Sequence, residues 1–298
     1  MAYLKLLRPK DWAKNLFLFI PLFFSGEIFN FTKLMNVSEG FIGFCCIASS
    51  IYIINDYADI ESDKRHPQKR NRPLASGKAK TTIALAIAFI LFITGFLIAH
   101  KIGNTFFSLL CIYFSLNVAY SFGLKNIPIL DIFIIAIGFS LRVRSGGAIA
   151  AVNITIWMNI MVFLLALFMA AGKRRDDVLL TISSGINIRK AMKGYTLDFL
   201  NTLLALLSAV MIVSYFMYTV SDRVIERQET NRLYLTGIFV MAGIVRYLQI
   251  IYVHSDAGSP TKILYKDRFI QICIILWMIS FYFLIYLKRN SFFHIMNF

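Results

Sequence analysis

The stretch Asn55–Asp63, N-D-Y-A-D-I-E-S-D, decides how this sequence is interpreted. It closes a run of apolar residues that has the length of a membrane helix. Asp56, Asp59 and Asp63 stand at i, i+3 and i+7, so on a helix of 3.6 residues per turn they share one face. Carboxylates clustered at the end of a lipid-buried segment are costly unless a cation neutralises them. Beside phosphate groups that cation is usually Mg²⁺, so the pattern predicts a magnesium site with these aspartates as ligands.

A structural interpretation competes with the catalytic one. In it the aspartates belong to a solvated helix end, where Lys64 and Arg65 balance their charge. Asn55 and Asp56 argue against this, because they lie inside the apolar run and not after it. Polar side chains at that depth normally face a cavity or a partner. We therefore predict that the three aspartates are catalytic and that Asn55 assists them.

The composition indicates an integral membrane protein. Of the 298 residues 58% are hydrophobic and only 16% are charged, and the mean hydropathy is +0.67, whereas soluble domains carry about 25% charged residues. A net charge of +15 would suggest nucleic acid in a soluble protein. Here basic loops facing anionic headgroups explain it, so we expect a lipid bilayer and no nucleic acid as partner. The four cysteines lie in apolar runs and are interpreted as buried thiols.

Hydropathy predicts nine membrane spans within one domain that covers residues 1–298. The predicted spans are 14–33, 39–58, 80–100, 104–122, 128–150, 154–172, 196–220, 232–252 and 268–287. With the N-terminus in the cytoplasm, cytoplasmic segments hold 21 Lys and Arg residues and outer segments hold 7. This bias predicts a multi-pass protein of the inner (plasma) membrane, with the N-terminus, both long basic loops and the aspartates on the cytoplasmic side.

Three basic segments are candidates for binding an anionic substrate. One is the loop after the aspartates, another is G-K-R-R-D-D at 172–177, which is expected to open the second long loop, and the third is L-R-V-R-S-G-G at 141–147. Arginine suits phosphate because it donates two parallel hydrogen bonds, although a positive-inside loop explains many such cations equally well. Arg142 and Arg144 are two positions apart and should point to different sides of their helix, one of them binding substrate while the other pairs internally. The predicted substrate-binding residues are Lys14, Asn55, Arg65, Lys69, Arg70, Arg72, Arg142, Lys173, Arg174 and Tyr195.

Together these features resemble the UbiA superfamily of intramembrane prenyltransferases over essentially the whole chain. The resemblance rests on nine spans, on the N-D-x-x-D-x-x-x-D motif at 55–63 and on a charged motif after span six. Ordinary members space the acids of that second motif, whereas those of G-K-R-R-D-D are adjacent. R-P-K-D-W-A-K-N at 8–15, L-R-V-R-S-G-G and G-Y-T-L-D-F-L at 194–200 are similar to the decaprenyl-phosphate phosphoribosyltransferase branch.

That resemblance implies an all-α membrane bundle of nine transmembrane helices. It also implies a Mg²⁺-dependent transfer of 5-phosphoribose from phosphoribosyl pyrophosphate to a polyprenyl phosphate, which serves cell-envelope glycan precursor synthesis. Arg65, Lys69, Arg70 and Arg72 are then candidates for the donor's phosphates, and Lys14, Arg142, Lys173 and Arg174 for the lipid phosphate. The aspartates are expected to hold Mg²⁺ on the pyrophosphate.

Two other functions stay open at this point. A UbiA-type prenyltransferase would move an isoprenoid from its diphosphate to an aromatic or glycerol-phosphate acceptor, although the altered second motif speaks against it. A transporter would use the buried charges as an ion path, but the sequence shows no inverted repeat of the kind that transporters contain. The sequence also leaves open whether the chain forms a homo-oligomer.

Overall fold

The computed structural model describes residues 2–65, 69–184, 191, 194–253, 263 and 266–287. All regular structure in these residues is helical, which confirms the predicted all-α class. The chain divides into two compact units, Met1–Ile154 and Thr155–Phe298, which we describe separately. The single domain over residues 1–298 stays a prediction.

The first unit contains the N-terminal helices and the aspartate motif. Its α-helices are α1 (Ala2–Leu6), α2 (Ile20–Phe24), α3 (Phe31–Ala58), α4 (Ile60–Arg65), α5 (Thr81–Ile102), α6 (Asn104–Phe122) and α7 (Leu130–Ala150). Its 3-10 helices are Pro9–Phe19, Lys69–Asn71 and Leu124–Asn126.

The second unit contains the G-K-R-R-D-D motif. Its α-helices are α8 (Ile156–Ser184), α9 (Leu197–Thr219), α10 (Asp222–Gln228), α11 (Gly237–Val253) and α12 (Arg268–Tyr282). A 3-10 helix at Leu233–Thr236 precedes α11, and a π-helical turn at Phe283–Leu287 follows α12.

Eight helices in the described part of the chain are long and apolar enough to cross a membrane, close to the predicted nine. The predicted span 14–33 takes a different form, a 3-10 helix at Pro9–Phe19 followed by the short α2. Pro9 begins the 3-10 helix, and Pro21 lies in the first turn of α2. The Asn30 side chain then caps α3, so this helix begins at Phe31, eight residues before the predicted start.

Helix α3 lies at the centre of the first unit, because it packs against α5, α6, α7 and the Pro9–Phe19 segment. Its core includes Phe44 and Ile47, which cluster with Tyr113 of α6. Glycines bring the backbones close: a Cβ on Gly95 of α5 would lie 2.9 Å from the Gly43 carbonyl oxygen of α3. Small residues of this kind permit tight helix contacts inside a membrane. This packing fixes the end of α3, where the aspartates lie.

The cysteines follow the prediction in part. All four are free thiols, and Cys45 and Cys273 are buried. Cys46 and Cys111 are only partly buried.

The second unit is built on α8 packed against α9 and on α11 packed against α12. A chain of hydrogen bonds joins its helices, since Trp277 Nε1 donates to the Tyr215 hydroxyl at 2.7 Å. That hydroxyl in turn lies 2.5 Å from Thr236 Oγ1. Such a connected polar network specifies one arrangement of the helices, because each buried polar group has a partner.

Candidate active site

The aspartate motif spans the junction of α3 and α4. The Asp59 N–H donates to the Asn55 carbonyl at 3.0 Å, and the Asp63 N–H donates to the Asp59 carbonyl at 2.8 Å. These hydrogen bonds continue the helical pattern through the junction, so the i, i+3, i+7 spacing still places the three aspartates on one face. Asp56 and Asp63 are both only 2% exposed, whereas Asp59 is half-buried.

Arg72 joins the two buried aspartates. Its Nη1 donates to Asp63 Oδ2 at 2.7 Å and to Asp56 Oδ1 at 3.1 Å. Arg72 reaches them from the end of a 3-10 turn, in which its N–H donates to the Lys69 carbonyl at 2.9 Å. One cationic nitrogen is therefore shared by two carboxylates that have little access to water.

Arg8 is a second partner of Asp56 and pairs with the same oxygen, Oδ1. It lies between α1 and Pro9 with a left-handed backbone (φ 49°, ψ 60°), which is uncommon for a residue other than glycine. Its guanidinium also lies over the Tyr52 ring, 5.1 Å from the centroid. The N-terminal segment thus contributes a cation to the cluster.

Asp59 has a separate set of partners. Lys125 Nζ contacts both of its oxygens, at 2.6 and 2.8 Å, from the short turn between α6 and α7. Asn55 Nδ2 donates to Asp59 Oδ2 at 3.2 Å, and Asn55 Oδ1 accepts from Lys125 at 3.3 Å. Asn55 therefore hydrogen-bonds one of the aspartates, and its assisting role stays a prediction.

Asp56 and Asp63 share the cation of Arg72, whereas Asp59 has Lys125 as its partner. With Arg8, three cations face the three carboxylates in the described part of the chain. Among the described residues no group of three His, Cys, Asp or Glu side chains is close enough to hold a metal ion, so the three-aspartate ligand set stays a prediction. Mg²⁺ usually needs only one or two carboxylates, with water and substrate phosphate oxygens as its other ligands. Asp56 and Asp63 supply two such hard oxygen donors converging on one point, now the Arg72 nitrogen. Their chemistry therefore fits the metal.

The other cations of the first basic loop differ in their exposure and partners. Arg70 is exposed and Lys69 is half-buried. The Arg65 side chain lies outside the described residues. Lys64 pairs with the exposed Glu61 at 2.7 Å, so the structural interpretation, in which Lys64 balances the aspartates, is wrong for this residue. Lys14 also lies on the surface, where its Nζ is 2.6 Å from Asp11 Oδ1.

Arg142 lies in a buried polar network in the first unit. Its Nε donates to Asn15 Oδ1 at 2.9 Å, its Nη1 to the Gly138 carbonyl at 2.9 Å and its Nη2 to the Tyr113 hydroxyl at 2.7 Å. Arg144 is exposed, so the two arginines do point to different sides of α7 and Arg142 is the one that pairs internally. Neutral groups engage all three nitrogens, and a role for Arg142 in binding lipid phosphate stays a prediction.

The second charged motif lies in a helix and not in a loop as predicted, because α8 continues to Ser184. Arg174 is 1% exposed and pairs with Asp177 at 2.8 Å. Arg175 is also buried, and it donates to Asn201 Oδ1 of α9 at 2.7 Å and to the Ile251 carbonyl of α11 at 3.1 Å. These contacts give both buried guanidinium groups partners inside the unit, so α8 can continue past the two arginines.

Two further predicted residues of the second unit differ in exposure. Lys173 is exposed, whereas Gly172 and Arg174 beside it are buried. Tyr195 is buried in an apolar cluster with Val178 and Leu200. Its ring therefore contributes to the packing of α8 against α9.

Sequence reasoning missed two of the three cations at the aspartates, Arg8 and Lys125. Three buried carboxylates require counter-charges, and Lys125 is the single cation of the short α6–α7 connection. The sequence therefore contained a signal that could have identified Lys125. Arg8 lies 48 residues from Asp56, and no spacing rule in the sequence relates the two positions.

Comparison with known proteins identifies the family of this chain. The UbiA prenyltransferase family model matches residues 17–174. The decaprenyl-phosphate phosphoribosyltransferase of Mycolicibacterium smegmatis is 34% identical, over 92% of this chain and 89% of the relative. The protein of that name from Corynebacterium glutamicum is 30% identical, over 95% and 86%. A solved structure of a UbiA homolog from Archaeoglobus fulgidus bound to DMAPP and Mg²⁺ has a TM-score of 0.70 at 20% identity, covering 96% of this chain and 99% of that one. This chain therefore belongs to the UbiA prenyltransferase family and is a multi-pass membrane enzyme of that family.

Proposed function

We propose that this enzyme transfers 5-phosphoribose from phosphoribosyl pyrophosphate to a polyprenyl phosphate and releases pyrophosphate. The observation that carries the proposal is the likeness to two relatives named for this transfer, which extends over most of both chains. The site supports it, because a diphosphate donor needs cations and the first unit gathers Arg8, Arg72 and Lys125 around its aspartates. The transporter alternative is not retained, since the family is one of enzymes.

The donor's pyrophosphate is assigned to the aspartate cluster. Asp56 and Asp63 would hold Mg²⁺, and a bound Mg²⁺ neutralises the charge that develops on the leaving pyrophosphate. Arg72 supplies a guanidinium whose planar donors match phosphate oxygens. Lys125 and Asn55 hold Asp59 in one orientation through hydrogen bonds.

The reaction is a displacement at C1 of the ribose. A phosphate oxygen of the lipid forms the new bond to C1 while the bond from C1 to the pyrophosphate oxygen breaks, and pyrophosphate takes the electron pair. The acceptor is already an anion, so catalysis needs little help from a general base and depends on positioning and electrostatics. In-line attack inverts the configuration at C1, which gives a β-linked product.

The lipid phosphate is assigned to the basic residues outside the aspartate cluster. Lys173 is a candidate, because its side chain is exposed and an ammonium group on a long stem can reach a headgroup at the surface. Arg174 pairs with Asp177 and Lys14 with Asp11. To bind the lipid phosphate, Arg174 and Lys14 would exchange these carboxylates for it.

We place the enzyme in the inner membrane with the aspartates facing the cytoplasm, where a water-soluble sugar phosphate donor is available. The distribution of Lys and Arg supports this orientation. The product would enter the synthesis of cell-envelope glycan precursors.

The family's name favours a second function, the transfer of an isoprenoid from its diphosphate to an acceptor. Purified enzyme in detergent should be incubated with Mg²⁺ and polyprenyl phosphate plus phosphoribosyl pyrophosphate labelled in the ribose. We expect label to pass into the organic phase. Labelled prenyl diphosphate with aromatic or glycerol-phosphate acceptors is the parallel reaction. Transfer in the second reaction alone would overturn the proposal.

A further inference from the structure

We propose that Arg72 is an exchangeable counter-ion, which a divalent metal displaces from Asp56 and Asp63 and which the incoming diphosphate then takes up. The metal and the diphosphate would thereby assist each other's binding. This inference rests on the proposed function for the use of a metal and a diphosphate. It adds a role for an arginine that is engaged with the aspartates before either ligand arrives.

The contacts place Arg72 in direct competition with a metal shared by the two aspartates. Its Nη1 occupies the point where Asp56 Oδ1 and Asp63 Oδ2 converge, 3.1 and 2.7 Å away. A cation held by both carboxylates would compete with Arg72 for this position. Among the described carboxylates Arg8 is paired with Asp56, so it competes at one of the two, whereas Arg72 competes at both.

The charge balance favours the departure of Arg72 from the aspartates when a metal binds. Three aspartates already face the cations of Arg8, Arg72 and Lys125. A divalent metal adds two positive charges to this neutral group, which is unfavourable unless a cation leaves or an anion arrives. A diphosphate supplies the anion, and it also gives the displaced guanidinium a partner.

Arg72 is placed so that it can move. It lies just after the 3-10 helix Lys69–Asn71, outside the packed helices of the first unit. Its side chain is 25% exposed, whereas those of Asp56 and Asp63 are 3% exposed. The guanidinium therefore has access to water and to a ligand, while the carboxylates stay fixed in the protein.

The direct test measures the reactivity of Arg72 in the wild-type enzyme. Full-length protein in detergent is treated with phenylglyoxal, which modifies arginines, and the modified peptides are quantified by mass spectrometry. Mg²⁺ should raise the modification of Arg72 several-fold, and inorganic pyrophosphate added with Mg²⁺ should lower it again. Arg223, which is exposed in the second unit, is the internal control. Unchanged or reduced modification of Arg72 on adding Mg²⁺ would overturn the proposal.

A second test measures metal affinity without any donor. Binding of Mn²⁺, followed by its electron paramagnetic resonance signal, should be about tenfold tighter in Arg72→Gln than in wild type, since the competitor is gone. Arg72→Lys keeps the charge and should stay closer to wild type. Lys64→Gln removes a nearby cation that pairs with Glu61, and it should leave the affinity unchanged. Weaker or equal binding in Arg72→Gln would refute the exchange.

The two proposals fail in different ways. Neither of these measurements uses phosphoribosyl pyrophosphate, so exchange at Arg72 with no ribose transfer would remove only the proposed function. Ribose transfer with no change at Arg72 on adding Mg²⁺ would remove only the exchange.

Discussion

Asp56 receives two guanidinium groups, those of Arg8 and Arg72, and is almost completely buried. An amide of the same shape keeps the packing but removes the negative charge. Arg72 would keep Asp63 as its partner, so the fold should survive. Asp56→Asn therefore changes the charge of the cluster while keeping the size of the side chain.

We predict that Asp56→Asn lowers turnover at least about 100-fold, because a neutral amide is a poor ligand for a hard divalent cation. The measurement is transfer of labelled ribose to polyprenyl phosphate, with expression and thermal unfolding measured in parallel. Lys64→Gln is the matched control, since it removes a charge from α4 outside the cluster. Near-normal turnover in Asp56→Asn would sink the metal assignment.

Arg142 is the other residue whose surroundings suggest a sharp experiment. Its three donors point to Asn15, Gly138 and Tyr113, and a lysine has one ammonium group that cannot reach all three acceptors in this geometry. Arg142→Lys should destabilise the protein by about 1–3 kcal/mol, because buried acceptors lose their donors. Arg144→Lys, on the exposed side of the same helix, should change the melting temperature little.

The same pair of variants tests the predicted contact with the lipid. If Arg142 bound the lipid phosphate, Arg142→Lys would raise the KM for polyprenyl phosphate while the melting temperature stayed the same. A lower melting temperature with an unchanged KM would identify Arg142 as a structural residue.

At the scale of elements, Gly146 is where α7 meets the Pro9–Phe19 helix. A Cβ on Gly146 would collide with the Leu18 carbonyl oxygen. Because backbone atoms cannot move aside as a side chain does, the two elements would have to separate. The same segment supplies Asn15 to the Arg142 network, so its position matters to more than one contact.

Gly146→Ala should therefore cost at least about 1–3 kcal/mol, the usual penalty for overpacking. Gly138→Ala is the matched control on the same helix, since its Cβ would meet its nearest atom at 3.5 Å, an ordinary contact. Thermal unfolding in detergent measures both variants. Equal melting temperatures would contradict a close contact between α7 and the Pro9–Phe19 helix at Gly146.

Helices α11 and α12 are joined by an ion pair whose strength depends on pH. Arg246 Nη2 and Nε donate to Asp267 Oδ2 at 2.8 and 3.1 Å, and Asp267 Oδ1 accepts from the N–H of Ile270 at the start of α12. The hydrogen bond from Arg246 is the main cause that holds the pKa of Asp267 below its usual range. The folded state therefore favours the ionised carboxylate. Its stabilisation is present above the unfolded-state pKa of about 3.9 and is lost as the pH falls through the lower folded-state value.

Asp267→Asn should consequently melt at a lower temperature than wild type near pH 7, with the difference shrinking below about pH 4. Thermal unfolding of both proteins from pH 7 to pH 3 gives the comparison. A difference that did not change with pH would mean that the ion pair adds nothing beyond the cap of α12.

The sequence predicted the bounds of a helix best where a long apolar run has clear polar ends. Spans such as 104–122 were predicted to the residue, because a run of 19 mostly apolar residues between polar turns leaves one solution. The first span was not, since Pro9 and Pro21 favour short helices in place of one long helix. The end of α8 was also misplaced. Its arginines suggest a boundary, but Arg174 pairs with Asp177 one turn along the same helix, and Arg175 donates to Asn201 of α9. The contact with Asn201 joins positions 26 residues apart, so the local sequence does not reveal it.

At the scale of the whole molecule, the distribution of basic residues predicts one orientation in the membrane. Lys78 belongs to the first basic loop, which should face the cytoplasm. Lys101 lies at the end of α5, which should face outward. Both side chains are exposed, so a cysteine at either position can report its side of the membrane. The native thiols provide a background that the wild type measures, because all of them lie within the apolar helices.

We predict that Lys101→Cys reacts with a membrane-impermeant maleimide in intact cells or right-side-out vesicles, whereas Lys78→Cys reacts only in inside-out vesicles. The expectation follows from the threefold excess of Lys and Arg in the segments assigned to the cytoplasm, because basic segments are retained on that side during insertion. Permeabilised membranes control for accessibility, since both cysteines should then react. Labelling of Lys78→Cys from the outside would place the aspartate cluster away from the cytoplasm. A donor made in the cytoplasm could not reach it there, and the proposed donor would have to be abandoned.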